Sequence, residues 1–245
     1  MNSIEEILIQ QQRRAIYVGS DFVNADALTQ FTLVQTGAAT IVNTELYGGV
    51  VTLNTTALLD LDCYIHSPEV FDFGPGGLAG KSIVAEARIK YSEGATDEAI
   101  VVFGLMSGVI ADHMLDDNLG PLAAYSGAVI YKVDSETVWK VEASVDGGAK
   151  QYGGISTQTA GGTSWQTLRI EVHPLTTTRA DVSFFIDDAG GSNFVSLKDS
   201  NLNPLKYEMD ITTTVPMSLV MGVKCGAAGT DETLLLDYMH GIQIR

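Results

Sequence analysis

The fold is decided by four segments towards the C-terminus: WQTLRIEV (165–172), VSFFID (182–187), LVMGVK (219–224) and LLLDY (234–238). In each segment apolar residues alternate with polar or small ones, and Gly, Asn, Asp or Pro residues bound it. Alternation with a period of two is typical of a β-strand that packs one face on a core. The chain ends at Arg245, soon after the last segment, so we expect that segment to close the domain.

Segments of the same kind fill the upstream half of the chain: 31–34, 40–42, 50–53, 63–65, 82–91, 99–105, 128–133 and 138–144. Hardly any helical pattern interrupts them, which favours two stacked antiparallel sheets. At 245 residues the chain fits one β-sandwich with one core. In the segment 82–91, Glu86 falls on the face opposite the apolar residues, so we expect its side chain to face solvent.

The first residues predict a short helix outside the sandwich. Ser3 and Glu6 fit a capping box, and the helix would span about residues 4–14. One of its faces would carry Ile4, Ile7, Leu8 and Gln11. This face either packs on its own domain or contacts a partner as an arm. We therefore divide the chain into an N-terminal helix or arm over 1–20 and a sandwich over 21–245.

The charge balance disfavours some partners. There are 14 Lys plus Arg against 30 Asp plus Glu, a net charge of −16. Such a polyanion repels nucleic acid. The sequence contains no run of 18 apolar residues, so it predicts no membrane-spanning helix. The N-terminus lacks a secretion signal, so we expect synthesis in a cytoplasm. Cys63 and Cys225 are interpreted as buried free thiols, with a single disulfide as the alternative.

The acidic loop within 107–126 is the best metal candidate. Its candidate ligands are Asp112, Asp116, Asp117 and Asn118. Closely spaced carboxylate and amide oxygens suit Ca²⁺, although the spacing does not match an EF-hand loop. The sequence leaves two alternatives here, a structural Ca²⁺ site and a solvated loop. No other cofactor is predicted.

Catalytic patterns are not found. The Glu residues are isolated, the four His residues are dispersed, and neither a Gly-x-Ser-x-Gly nor a phosphate-binding loop occurs. We therefore expect no enzymatic activity. Several aromatic residues either stack on sugars or fill the core: Tyr125, Tyr131, Trp139, Tyr152 and Trp165.

Together, the segments at 82–91, 99–105, 165–172, 182–187, 219–224 and 236–238 resemble the concanavalin A-like (laminin-G-type) jelly roll, over about residues 20–245. The Glu-x-Asp-x-x-Glu strand of the sugar-cleaving members has no counterpart here, and the metal ligands of legume lectins are not recognisable. The chain looks most like the concanavalin-like proteins of tailed-bacteriophage particles. These also combine a short N-terminal segment, an acidic Gly- and Thr-rich sandwich and a Tyr-x-Gly strand start, here Tyr125-Ser126-Gly127.

This resemblance implies a structural protein of the virion, made in the cytoplasm of a bacterial host. We expect a capsid decoration or cement protein on the head exterior, with the major capsid protein or another virion protein as its partner. A homo-oligomer such as a trimer would match the symmetry of a shell. The alternative function is a lectin-like carbohydrate-binding module on a tail or fibre, which would use the loop Asp112–Tyr125 with Ca²⁺.

Overall fold

The computed structural model describes residues 15–23, 25–44, 49–73, 82–94, 97–115, 119–145, 147–148, 150–162, 164–188, 193–211, 213–227 and 230–244. The elements are β1 (Ala15–Ser20), a 3₁₀ turn (Ala25–Leu28), β2 (Thr32–Gln35), β3 (Thr40–Thr44), β4 (Val50–Asn54), β5 (Asp62–His66), β6 (Ile83–Ser92), β7 (Ala99–Met106), β8 (Met114–Leu115), β9 (Gly120–Pro121), β10 (Gly127–Lys132), β11 (Val138–Val145), β12 (Lys150–Thr159), β13 (Gln166–Pro174), β14 (Arg179–Asp187), β15 (Val195–Ser196), β16 (Lys206–Asp210), β17 (Ser218–Cys225) and β18 (Thr233–Ile244). These residues contain no helix that is long and apolar enough to span a membrane.

Two antiparallel sheets form the predicted sandwich. Sheet A has nine strands in the order β15-β14-β13-β6-β18-β4-β3, with β1 also paired to β18 and β16 to β14. Sheet B has seven strands in the order β12-β11-β10-β7-β17-β5-β2. A separate two-stranded ladder joins β8 and β9. The all-β, two-sheet jelly roll expected from the sequence is confirmed.

The core lies between the two sheets and is built by the alternating residues of their strands. In β6 and β13 the alternation read from the sequence matches the burial, with Ile83, Ala87 and Ile170 fully buried. Trp139 of β11 is also fully buried in this core. Complete burial of one large apolar side chain contributes about 1.5–3 kcal/mol, so this interface is the main source of stability.

Two strands of sheet B depart from alternation. Every residue of β7 and every residue of β17 is buried, so both faces of these strands are covered. On the outer face their side chains belong to a second apolar cluster: Tyr64, Ile100, Val102, Met106, Met114, Tyr125, Val129 and Val220. Met114 and Tyr125 come from the segment between β7 and β10. A strand that is buried on both faces has a nearly continuous run of apolar residues, such as AIVVFGL (99–105) in β7.

The N-terminal boundary differs from the prediction. Residues 15–20 form β1, which pairs in register with β18 from Ala15↔Ile244 to Ser20↔Met239. Ile16 and Val18 pack against the core, so this segment belongs to the sandwich and not to an arm over 1–20. The predicted helix face Ile4, Ile7, Leu8 and Gln11 lies outside the described residues and stays a prediction.

The Gly-rich stretch 147–162, in which the sequence analysis places no strand, contains the ten-residue strand β12. Its Gly154 lies against Tyr207 and Leu205, where a Cβ would overlap the tyrosine hydroxyl. Glycine inside a strand often marks such a close approach.

Candidate functional site

The predicted metal loop is only partly described. Asp116, Asp117 and Asn118 lie outside the described residues, and Asp112 lies within them. The Asp112 carboxylate accepts a hydrogen bond from the Lys224 ammonium group at 3.1 Å. Among the described residues no three His, Cys, Asp or Glu side chains are grouped so that they could hold a metal ion. The Ca²⁺ site therefore stays a prediction, and at Asp112 an ammonium group occupies one carboxylate oxygen.

Residues 107–115 and 119–126 lie over the outer face of sheet B, and we call them the covering segment. Its two ends meet where the Ser107 N–H donates to the Ser126 carbonyl at 2.9 Å. Met114 is 1% exposed and packs in the second apolar cluster. Gly120 lies over the Tyr131 ring, which a Cβ would approach to 2.9 Å. The covering segment thus closes the middle of this face.

Polar groups of sheet B hold the covering segment in place. The Tyr64 hydroxyl accepts from the Met114 N–H at 3.1 Å, and the Asp62 carboxylate accepts from the Asp112 N–H at 2.6 Å. On the other side, the Tyr125 hydroxyl donates to Glu142 at 2.9 Å. Burial raises the pKa of both Asp62 and Glu142. These side chains serve as anchors for the protein's own chain.

His113 is the most unusual side chain of the covering segment. It is 3% exposed, its ring packs edge-on against Tyr125 with centroids 6.1 Å apart, and neither ring nitrogen has a hydrogen-bond partner. Burial, and to a lesser degree the nearby His66, lowers the pKa of His113 to about 4. The imidazole is therefore neutral at pH 7 and behaves as part of the apolar packing.

The aromatic residues considered for sugar stacking are largely unavailable. Tyr125 and Trp139 are fully buried, and the Trp139 indole N–H donates to Gln166 at 3.2 Å. The Arg88 guanidinium lies 5.0 Å from the centre of the Trp165 ring. Tyr152 packs against the core. The burial of Tyr125 and Trp139 and the packing of Tyr152 and Tyr131 against the apolar clusters agree with the core interpretation. Trp165 is instead partly buried and packs on Arg88.

A second cluster lies on the outer face of sheet A, around Glu86. Glu86 is only 7% exposed, which corrects the expectation that it faces solvent. Its Oε2 accepts from Arg169 Nε at 2.8 Å and Nη2 at 2.6 Å, and its Oε1 accepts from the Tyr238 hydroxyl at 2.6 Å. These three charge-assisted bonds make the Glu86 carboxylate an anchor for its neighbours.

The partners of Glu86 are themselves fixed. The Arg169 guanidinium lies 3.6 Å from the centre of the Phe194 ring, and the Tyr238 ring stacks on His240 at 5.4 Å. Burial lowers the pKa of His240, although Glu86 opposes this, so the imidazole is neutral at pH 7. His240 lies inside β18. A surface pocket of about 430 Å³ opens beside this cluster.

The remaining candidates do not form a catalytic arrangement. Glu136 pairs with Lys140 at 3.2 Å, and Glu171 with Arg169 at 3.6 Å. Cys63 and Cys225 are buried free thiols, and burial raises the pKa of Cys63 to about 12, far from a reactive thiolate.

Similar solved structures bear on the fold. The carbohydrate recognition domain of Emp47p is 10% identical over 94% of this chain and 97% of that domain, with a TM-score of 0.56. The endo-β-1,4-glucuronan lyase of Trichoderma reesei is 7% identical over 95% and 96%, with a TM-score of 0.59. Peanut lectin, solved with a nine-residue peptide, is 8% identical over 94% and 97%, with a TM-score of 0.55. No protein-family model and no curated protein matches the chain. These likenesses show the concanavalin A-like jelly roll of the legume-lectin type.

Proposed function

We propose that the protein is a non-enzymatic structural protein of a tailed-phage particle, which decorates the outside of the head. The observation that carries the non-enzymatic part is the closed outer face of sheet B. There the polar side chains Asp62, Tyr64 and Glu142 bond to the protein's own covering segment. A face on which these three side chains already bond to the protein's own chain suits a rigid body better than a substrate cleft. The assignment to a phage particle rests on the sequence resemblance.

The proposed partner is the major capsid protein, and the proposed assembly is a homo-oligomer such as a trimer. Many copies on a shell gain avidity from modest contacts, so a short arm can contribute strongly to binding. The predicted apolar helix face in residues 4–14 is the proposed contact. The charge of −16 favours solubility of the exposed body.

The lectin-like fold of the similar structures supports the alternative function, a carbohydrate-binding module, but the segment Asp112–Tyr125 expected to bind the sugar is largely engaged by the protein itself. Tyr125 is fully buried under its own segment, and Lys224 bonds the carboxylate of Asp112. A sugar would have to displace packed chain to reach this aromatic ring. Loss of glycan binding on chelation would be the outcome that favours this alternative.

The proposal is tested by adding purified protein to phage particles produced without it and measuring co-sedimentation. We expect saturable binding in a fixed ratio to the major capsid protein. A triple variant Ile4→Ser/Ile7→Ser/Leu8→Ser should bind at least tenfold more weakly, and Glu5→Gln, outside the predicted apolar face, should bind normally. No binding by the unaltered protein would overturn the proposal. Normal binding by the triple variant would overturn the role of the arm alone.

A further inference from the structure

The outer face of sheet A carries a surface pocket beside the Glu86 cluster, on the opposite side of the sandwich from the covering segment. The proposed particle role does not assign it an occupant. It has a volume of about 430 Å³ and is lined by Tyr17, Gly19, Ser20, Asp21, Glu86, Tyr238 and His240.

Gly19 provides the space in this pocket. Across the outer face, Gly19 of β1 lies opposite His240 of β18, His240 lies opposite Glu86 of β6, and Glu86 lies opposite Arg169 of β13. A Cβ at Gly19 would overlap the Cβ of His240 and would come within 2.9 Å of the Tyr17 hydroxyl. The φ angle of Gly19 lies outside the left-handed region, so the backbone does not require glycine here. The row of outer side chains therefore ends in a gap above Gly19.

Tyr17 and Asp21 supply the groups that an occupant of this gap would contact. Residues two apart in a strand point to the same face, so Tyr17 lies on the outer face with Gly19, whereas Ile16 and Val18 pack against the core. The Tyr17 ring is 65% exposed. Asp21 follows the end of β1 and is also exposed, and its carboxylate has no hydrogen-bond or ion-pair partner among the described residues. One pocket thus offers an aromatic ring and an unpaired carboxylate.

The charge of the pocket selects a cation. Its described lining residues include no lysine or arginine, so an anion would be repelled by Asp21. Glu86 is already paired with Arg169 at 2.6 Å, and His240 is neutral at pH 7, which leaves the charge of Asp21 uncompensated. No three acidic, His or Cys side chains are grouped to hold a metal ion in the described part of the chain. A ligand with one positive charge would neutralise the pocket.

A guanidinium group fits these contacts better than an ammonium group. It is planar and weakly hydrated, so it can stack on an aromatic ring while it donates two hydrogen bonds to a carboxylate. The Arg169 guanidinium makes this combination of contacts on the same face of sheet A. Its Nε and Nη2 donate to Glu86, and its central carbon lies 3.6 Å from the centre of the Phe194 ring. Tyr17 and Asp21 provide the same pair of groups, an aromatic ring and a carboxylate.

We propose that the pocket beside Tyr17, Gly19 and Asp21 receives an arginine side chain of a protein partner. The guanidinium stacks on the Tyr17 ring and pairs with the Asp21 carboxylate. A polypeptide is the source that fits, because free arginine carries a carboxylate of its own that Asp21 would repel. The net charge of −16 also favours the approach of a basic protein surface. This inference goes beyond the proposed particle role and does not depend on it.

The test is an NMR titration of the whole ¹⁵N-labelled protein with the peptide acetyl-Gly-Arg-Gly-amide. We expect saturable shifts of the amide signals of Gly19, Asp21 and His240. The matching citrulline peptide, whose side chain is isosteric but neutral, should bind at least about tenfold more weakly, since it lacks charge-assisted hydrogen bonds. The matching lysine peptide and free arginine should also bind more weakly than the arginine peptide.

Each of these comparisons can overturn the inference. No saturable shift at the three amides would contradict it and leave the particle proposal untouched. Equal affinity of the arginine and citrulline peptides would exclude recognition of the charge, and equal affinity of the lysine peptide would exclude selection of a guanidinium. Tighter binding of free arginine than of the peptide would show a small-molecule site in place of a protein contact.

Variants of the two contact residues locate the site. Asp21→Asn should weaken binding of the arginine peptide at least about tenfold, and Tyr17→Ala roughly threefold. The matched control Asp231→Asn makes the same change of charge at another exposed aspartate, outside the pocket lining, and should leave affinity unchanged. Because Tyr17 and Asp21 are exposed, both variants should keep the melting temperature of the unaltered protein. Unchanged affinity in these folded variants would place the peptide elsewhere and contradict the inference.

Discussion

Replacing Met114 by alanine should destabilise the whole sandwich, because the covering segment is part of the folded core and not a loose loop. Met114 is 1% exposed in the second apolar cluster, between Tyr64 and the outer residues of β7 and β10. Met→Ala changes in a core cost about 2–5 kcal/mol, from lost burial plus the cavity left behind. The covering segment lies at the surface and can relax partly into the gap, so we expect the lower half of that range, about 2–3 kcal/mol.

The assay is thermal and urea unfolding followed by circular dichroism. For a chain of this size one kcal/mol shifts the melting temperature by about 2–4 °C, which predicts a fall of about 4–12 °C. The matched control is Leu119→Ala in the same segment, where the side chain is 69% exposed and the expected change is within about 0.5 kcal/mol. If Met114→Ala were as stable as Leu119→Ala, the covering segment would contribute nothing to the fold. The argument from a closed face would then be refuted.

Three further predictions concern stability. Gly222→Ala should lower the free energy of unfolding by about 1–3 kcal/mol, because the added Cβ would overlap the Tyr64 ring. An unchanged midpoint of urea unfolding would contradict this packing. Gln166→Ala should lower the free energy of unfolding by about 1–3 kcal/mol, because it leaves the buried Trp139 N–H without an acceptor. Gln151→Ala, at an exposed position, should change this free energy little. Equal effects of the two substitutions would contradict a stabilising role of the Gln166 hydrogen bonds. Burial raises the pKa of Glu232 from 4.5 to about 7, so the folded state binds more protons between these values and stability falls as pH rises through that window. The free energy of unfolding of Glu232→Gln, measured relative to the unaltered protein, should therefore be roughly 1–3 kcal/mol more favourable at pH 8 than at pH 4.5. An equal difference between the two proteins at both pH values would contradict the raised pKa.

Local pattern was sufficient to predict most strands. The alternation in 82–91 placed Ile83 and Ala87 inward and Glu86 outward, as β6 has them. β12 was missed because Gly153 and Gly154 read as a loop, although Tyr207 requires the space that Gly154 leaves. β1 was missed although Ile16 and Val18 alternate, since its partner β18 lies at the other end of the chain.

The environment of the candidate sites was not predictable from local sequence. Glu86 was placed on the correct face, but its partners Arg169 and Tyr238 are 83 and 152 positions away. Their meeting depends on the register of β6 with β13 and β18, which a single sequence does not specify. In the same way, nothing in the acidic loop indicated that Lys224 would bond Asp112. Long-range register decides which polar residues become anchors and which line a pocket.

The most direct test of the central claim is quantitative mass spectrometry of purified phage particles whose genome encodes this chain, measured against the major capsid protein. A decoration protein on the head exterior should be present in on the order of hundreds of copies, as repeated binding to a symmetric shell requires. A few copies per particle would instead place the protein at the neck, tail or fibres. Complete absence from the particle would contradict the structural role and favour the carbohydrate-binding alternative.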